Sequence, residues 1–451
     1  MPALNSMPTL NSQILDMTMT IPELLAPAGT LDHLETAFAY GADAVYAGQP
    51  RYSLRVRNNS FKDPSALAEG MERARALGRA FYLVSNIAPH NSKVRTYLND
   101  LEPIVEQGPD ALIMSDPGLI MLVREHWPDQ PIHLSVQANA VNWATVEFWR
   151  RQGIQRVILS RELALDEVRE IRERVPDMEL EVFVHGALCM AYSGRCLLSG
   201  YMNHRDANQG ACTNACRWNY RAVDHTHDHS DDLVASSAVQ TVEPRELLLE
   251  EPNRPGSFIP AYEDEHGTYI MNSRDLRAVQ HVGELVRMGV HSLKIEGRTK
   301  STYYVARTTQ VYRRAIDSAV AGQPFDMALM DELEALSNRG YTEGFLRRHL
   351  PQDYQNYERG TSDLGSQQLV GAVVEASDHW LTIDVKNRFA PHQPLELITP
   401  AGSLRFDAAT IESSTGQTME YAPGSGYRVR IPRPQGIRGS LEHSFLTRWL
   451  K

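Results

Sequence analysis

All four cysteines of this 451-residue chain fall within one short segment, as Cys189, Cys196, Cys212 and Cys216 in a C-x6-C-x15-C-x3-C array. Thiols gathered in this way can pair as disulfides, bind zinc or wrap an iron–sulfur cluster. Disulfides suit small secreted domains, and a long chain without a secretory signal is a poor setting for them. Zinc knuckles space paired cysteines about two to four residues apart, which Cys212 and Cys216 satisfy and Cys189 and Cys196 do not. A cluster tolerates loose, unequal spacing, so spacing alone leaves zinc and iron–sulfur equally placed. His185 stands four residues before Cys189. It has the chemistry of a proton donor, an outer ligand or a base for a thiol nucleophile. It reads equally well as a histidine hydrogen-bonded at a strand end.

Two basic clusters flank this array in sequence. Arg51, Arg55 and Arg57 lie within seven residues with Tyr52 between them. Such a loop can pair bidentately with a dicarboxylate or grip a phosphate backbone, a solvated surface loop being the plainer alternative. Lys294, Arg298, Lys300 and Ser301 precede a helix expected over 302–319, whose free N–H groups favour anions; capping with solvated charge is the alternative there. Glu296, between Lys294 and Arg298, is a candidate acid–base residue or an ion-pair partner that orients its neighbours. Gln137 and Asn139 are further candidate substrate contacts.

An alternation of strands and helices is what brings these residues together. Short apolar runs at 23–28, 43–47, 81–86, 111–115, 133–137, 156–159, 179–184 and 292–295 are separated by helical patterns such as 31–40, 64–77, 166–174 and 276–288. Eight such units predict a (β/α)8 TIM-like barrel, in which chemistry lies where strands end and loops begin. Gly41 and Gly289 are placed as helix C-caps, and Asp32 and Asp275 near helix starts. Pro27-Ala28-Gly29-Thr30 after the first strand is not the glycine-rich turn of an open dinucleotide-binding sheet. The basic clusters, Gln137, Asn139, His185, Cys189 and Glu296 all fall at predicted strand ends.

The residues also carry a resemblance. Phe183 through His185-Gly186-Ala187-Leu188-Cys189, with Ser193-Gly194-Arg195-Cys196 and Ser199, is similar to the signature of peptidase family U32. Pro27-Ala28-Gly29, the run from Ala47 to Arg55, Ser135 to Asn139, and Lys294-Ile295-Glu296-Gly297-Arg298 resemble an RNA-modifying branch of that family. The resemblance covers nearly the whole chain and is weakest in the N-terminal tail and between about 224 and 256. It implies an oxygen-independent tRNA hydroxylase that forms 5-hydroxyuridine at the wobble position of the anticodon loop, with prephenate as co-substrate and hydroxyl source. It implies as well that the four matched cysteines hold an iron–sulfur cluster, of the 4Fe–4S type. The basic clusters then become anion grips for prephenate and tRNA. Two other readings stand beside this: a collagenase-like peptidase with Cys189 as nucleophile assisted by His185, and a zinc-stabilised RNA-binding module without a reaction of its own.

Beyond the catalytic segment the sequence predicts a disordered lead at 1–20, the barrel over 21–320, a helical segment and linker over 321–368, and a small β-barrel over 369–451. The barrel carries the Cys-rich segment 181–216 and an insertion, 224–265. The His225-Thr-His227-Asp-His229 tract in the insertion reads as a solvated loop rather than a metal site. Period-two alternation at 370–374, 380–385, 394–398, 404–406 and 427–431 carries the C-terminal expectation. Between barrel and linker, Tyr341 and Phe345 are placed to stack on bases or to pack against the barrel flank. A formal net charge of -11 speaks against a nonspecific nucleic-acid coat and leaves room for a local basic site. Cysteines confined to one array, with no apolar span, predict a cytoplasmic protein without a membrane segment.

Overall fold

The structure, a computed structural model, describes residues 21–54, 61, 63–189, 192, 196, 207–210, 274–347, 365–437 and 439–450, together with strands at 225–227, 233–235, 245–250, 258–264 and 267–269. Seven parallel strands follow one another as β1 (Glu23–Pro27), β2 (Ala44–Gly48), β3 (Ala80–Ser85), β4 (Ala111–Met114), β5 (Ile132–Leu134), β6 (Arg156–Ile158) and β7 (Glu179–Ala187). The eighth, β8 (Ser292–Ile295), pairs in parallel with both β1 and β7 and closes the barrel, as the sequence predicts. The strands read as near-continuous apolar runs because both faces are covered, by the lumen on one side and the helix layer on the other.

Short polar caps start the helices promptly after the loops. The side chains of Thr30, Asp63, Asp116 and Ser301 each accept a backbone N–H from the first turn of their helices. Such a cap typically contributes about 1 kcal/mol. Gly289 ends the helix Val282–Met288 in a left-handed conformation.

The expected helix over 276–288 begins later than predicted. Asp275–Arg277 is instead a strand running antiparallel to the end of β7 and parallel to Tyr341–Thr342, and the helix proper is Val282–Met288. Asp275 therefore accepts a hydrogen bond from Arg339 within the sheet rather than capping a helix. The His225–His227 stretch is also not a plain loop: it pairs antiparallel with Leu233–Ala235, and a three-stranded antiparallel sheet from 245 to 269 fills out the insertion.

The C-terminal part is an eight-stranded antiparallel sheet with its own apolar core, including Leu381, Ile383, Leu395, Leu397, Val429 and Ile431. Its final strand, Phe445–Trp449, lies mid-sheet. The sheet is seated on the barrel through Tyr40, whose hydroxyl donates to the Ile398 and His443 carbonyls, and through Arg307, which donates to Glu396 at 2.8 Å. No helix among the described residues is long and apolar enough to cross a membrane.

Candidate active site at the barrel mouth

The lumen carries charge at two levels. At the floor, near the strand starts, Arg156 donates to Glu23 at 2.7 Å and Glu179 at 2.8 Å, and Tyr82 donates to Glu23 at 2.6 Å. One layer up, Lys294 Nζ donates to the fully buried Glu181 at 2.7 Å. Burial holds the Lys294 amine below its usual range, with Glu181 pulling the other way.

Above that layer the side chains turn toward the mouth. Lys294 Nζ lies 4.4 Å, and Arg298 Cζ 5.6 Å, from the centre of the Tyr46 ring, while the Tyr46 hydroxyl reaches the Ile295 carbonyl at 2.9 Å and Glu296 Oε2 at 3.4 Å. Burial pushes the Tyr46 phenol well above its ordinary pKa, so it stays protonated as a donor. Arg161, just past β6, stacks its guanidinium over Phe183 with Cζ 3.8 Å from the ring centre, and places Nη2 3.7 Å from Glu296 Oε2. Among the described residues, Glu296, Tyr46, Arg161 and Arg298 meet at the mouth in a half-buried setting above the Lys294–Glu181 pair, where ion pairing is stronger than in water.

Glycines make this approach possible. A side chain on Gly48 would collide with Ser53 Oγ and the Arg298 guanidinium, and one on Gly29 would collide with the Arg298 carbonyl. Beside them Gln49 Oε1 and Ser53 Oγ are buried with no hydrogen-bond partner among the described residues. Buried polar atoms left open in this way favour a ligand or water that satisfies them.

The remaining predicted residues divide. Arg51, 60% exposed at its side chain, takes a left-handed conformation and pairs with Asp100 at 2.8 Å, and Asp100 also accepts from the Tyr52 hydroxyl at 2.5 Å. Arg55 and Arg57 lie outside the described residues. Gln137 Oε1 accepts from Asn86 and Ser135 at the ends of β3 and β5, and Asn139, also left-handed, donates to the Val136 carbonyl. Tyr341 packs against His185, whereas Phe345 stays 37% exposed.

His185 does not face the lumen. Glu181 and Phe183 point inward, and simple alternation would send His185 after them. The register against β8 shifts, however, so that Lys294 pairs with Phe183 and Ile295 with His185, leaving Val184 as an extra residue. This bulge turns the imidazole toward the helix layer, where Tyr304, Tyr312 and Tyr341 surround it with ring centres 5.5–5.8 Å away. Burial pushes its pKa down to about 3, so it is neutral.

The strand then delivers the cysteine segment to the mouth. Cys189 is exposed and Cys196 half-buried, and both are free thiols. Asn208 ties this segment to the loop after β3, donating to the Cys196 carbonyl at 3.2 Å while its own carbonyl accepts from Ala88 N–H at 3.0 Å. Cys212 and Cys216 lie outside the described residues, and no group of three or more metal-binding side chains converges among those described. Two unoxidised thiols on a segment pinned to the mouth are the soft donors that zinc or an iron–sulfur cluster takes.

Sequence reasoning passed over Tyr46 and Arg161. A tyrosine inside an apolar strand reads as core, but its position in Ala44–Gly48 places it on the lumen face. Arg161 directly follows a strand end, and that position was the available signal.

Residues 29–356 match the sequence profile of peptidase family U32, and residues 365–441 match that of the peptidase family U32 C-terminal domain. The chain is 60% identical over 440 residues to tRNA hydroxylation protein P of Escherichia coli (strain K12), covering 95% of this chain and 96% of that one. The Haemophilus influenzae protein of the same name is 55% identical over 444 residues, with 95% and 96% covered. The 23S rRNA 5-hydroxycytidine C2501 synthase of Escherichia coli is 28% identical over 445 residues, 94% of this chain and 60% of that one.

Proposed function

The chain belongs to peptidase family U32, and we propose that it hydroxylates tRNA, forming 5-hydroxyuridine at the wobble position with prephenate as the hydroxyl source and without oxygen. The observation that carries this reading is the near full-length similarity to proteins named for tRNA hydroxylation. The more distant relative named for 5-hydroxycytidine synthesis on rRNA points to the same position of a pyrimidine ring.

The mouth suits such a reaction. Prephenate carries two carboxylates, and Arg161 and Arg298 are the cations at the mouth assigned to hold them. A wobble uridine must leave its stack for chemistry at C5, and a loop base does so at the lowest cost. Glu296 Oε2 is assigned to accept a proton at the mouth, and Tyr46 supplies a hydrogen bond from its protonated hydroxyl. Cys189, Cys196, Cys212 and Cys216 would hold a 4Fe–4S cluster, whose chemistry when bound is electron transfer or Lewis-acid binding of substrate. A thiol peptidase would need a base at Cys189, whereas His185 is enclosed by tyrosines and Cys189 is exposed.

Nucleoside mass spectrometry of tRNA from cells lacking the gene and complemented with it tests the proposal. The wild-type chain should restore 5-hydroxyuridine, and Cys216→Ala should abolish it, by more than the roughly 10–100-fold typical of losing an outer partner of a metal site. Unchanged tRNA with the wild-type chain would overturn the reading.

A further inference from the structure

Exposed arginines are used differently on the two parts of the molecule. On the barrel flank Arg150, Arg151, Arg169 and Arg174 each pair with a nearby carboxylate at 2.5–2.8 Å. On the C-terminal sheet Arg388, Arg428 and Arg430 are exposed too, and among the described residues none of them has an ion-pair partner. Asp384, which lies opposite Arg428 in the register, is taken by Lys386 at 2.8 Å, and Glu412 stands opposite Arg430 without an ion pair to it. A guanidinium left in this state keeps its donors for water or for an outside anion.

Aromatic rings lie among these charges. Residues 385–389 run alongside 422–427: Val385 N–H donates to the Tyr427 carbonyl at 2.9 Å, and Phe389 and Ala422 exchange backbone hydrogen bonds at 2.8 and 3.3 Å. This pairing brings Arg388 beside Tyr421, with Cζ 3.8 Å from the ring centre, and puts Tyr427 and Arg428 at the same end of the sheet. Arg428 and Arg430 alternate with buried Val429 and Ile431, so their side chains leave from the outer face. Tyr421 and Tyr427 are 38% and 53% exposed. A single exposed tyrosine needs no partner, but two at one end of a sheet, set among arginines without ion pairs, form a surface with a definite chemistry.

That chemistry selects the partner. Arginine forks match phosphate oxygens, and tyrosine rings and guanidinium planes stack on bases of any sequence. Charge agrees. Residues 365–451 hold nine Lys and Arg against eight Asp and Glu, while the whole chain has a net charge of -11, so the C-terminal part is where this acidic chain repels a polyanion least. An acidic protein surface would also meet the arginines, but it would leave the tyrosine faces without a flat partner.

We infer that this end of the C-terminal sheet is a docking surface for RNA, with Arg428 and Arg430 on phosphates and the Arg388–Tyr421 stack and Tyr427 on unpaired bases. It shares no residue with the barrel mouth and so contacts the substrate outside the reacting base. Naming RNA as the occupant rests on the hydroxylation reading above.

The test uses the full chain purified without oxygen and three double variants. Arg428→Gln with Arg430→Gln removes the phosphate contacts, and Tyr421→Ala with Tyr427→Ala removes the stacking faces. Arg150→Gln with Arg151→Gln, on the barrel flank, is the control for loss of charge alone. Filter binding of tRNA is measured between about 50 and 200 mM salt, and unfolding midpoints establish that each variant is folded. The arginine variant should bind about tenfold more weakly, with a slope of log affinity against log salt shallower by about 1–2. The tyrosine variant should lose about tenfold with its salt slope kept, because stacking is not ionic. Either loss in a folded variant supports the inference, provided that the control binds as wild type does. Wild-type affinity in both sheet variants overturns it, as does equal weakening in the control or a wild-type chain that retains no tRNA. Unchanged tRNA binding in the arginine variant, together with lost retention of poly-L-glutamate, would make the occupant an acidic protein and overturn the RNA assignment. None of these measurements reads hydroxylation, so failure of the proposed function would appear separately, as tRNA bound but without 5-hydroxyuridine.

Discussion

The barrel holds two charged clusters a few residues apart along the same strands, and they are built to opposite ends. At the floor and in the layer above it, Arg156, Glu181 and Lys294 are buried and Glu23 is half-buried, each with short hydrogen bonds to an opposite charge. At the mouth, Arg161 and Glu296 stand 3.7 Å apart and partly exposed, with Tyr46 3.4 Å from the same carboxylate. The floor spends its charges on one another. The Arg161–Glu296 contact at the mouth is longer, and beside it Gln49 Oε1 and Ser53 Oγ are buried with no hydrogen-bond partner among the described residues. Residue type therefore says little about role here, and the completeness of pairing says much.

Breaking one member of each cluster should separate the two. Glu181→Ala strands Lys294 and Arg156 near a buried void, and should cost about 3–5 kcal/mol of stability in urea unfolding. A loss below about 1 kcal/mol would mean that the floor is hydrated and that the contrast is wrong. Glu296→Gln should behave in reverse. We expect stability within about 1 kcal/mol of wild type and hydroxylation slower by about 100-fold or more, as for loss of a general base. Single-turnover rates on purified tRNA read this directly, and equal activity would remove Glu296 from the chemistry.

His185 sharpens the contrast through pH. Its pKa is near 3 in the fold and about 6.5 in an unfolded chain, so between those values the unfolded state binds a proton that the folded state refuses. Its contribution to stability is thus complete above about pH 6.5 and is lost as pH falls toward 3, by about 1.4 kcal/mol per unit. Burial lowers His133 and His291 too, so acid destabilisation is shared. His185→Phe should gain about 2 kcal/mol relative to wild type between pH 7 and pH 5, measured by urea unfolding at each. A parallel pH dependence would show that the imidazole is charged in the fold and reaches water or the mouth.

The barrel was legible because strands covered on both faces read as apolar runs, and because Thr30, Asp63, Asp116 and Ser301 mark helix starts by their side-chain chemistry. The orientation of His185 was not legible. It depends on a one-residue shift against β8, a long-range pairing that period-two reading of β7 alone reverses. Asp275–Arg277 was hidden for a similar reason: three residues pair with β7 across more than eighty residues of chain, and locally they continue a helical pattern. Of the predicted site residues, Lys294, Glu296 and Arg298 converge around Tyr46, while Arg51 is engaged at the edge by Asp100. That distinction comes from neighbours such as Asp100, which lies 49 positions away.

The chemistry at the mouth depends on what the cysteine segment brings there. Iron, acid-labile sulfide and zinc content, with the visible spectrum, on protein purified without oxygen would decide this. About four irons and four sulfides per chain and a broad band bleached by reductant are expected, all lost in Cys216→Ala. One zinc per chain with no visible colour would contradict that expectation.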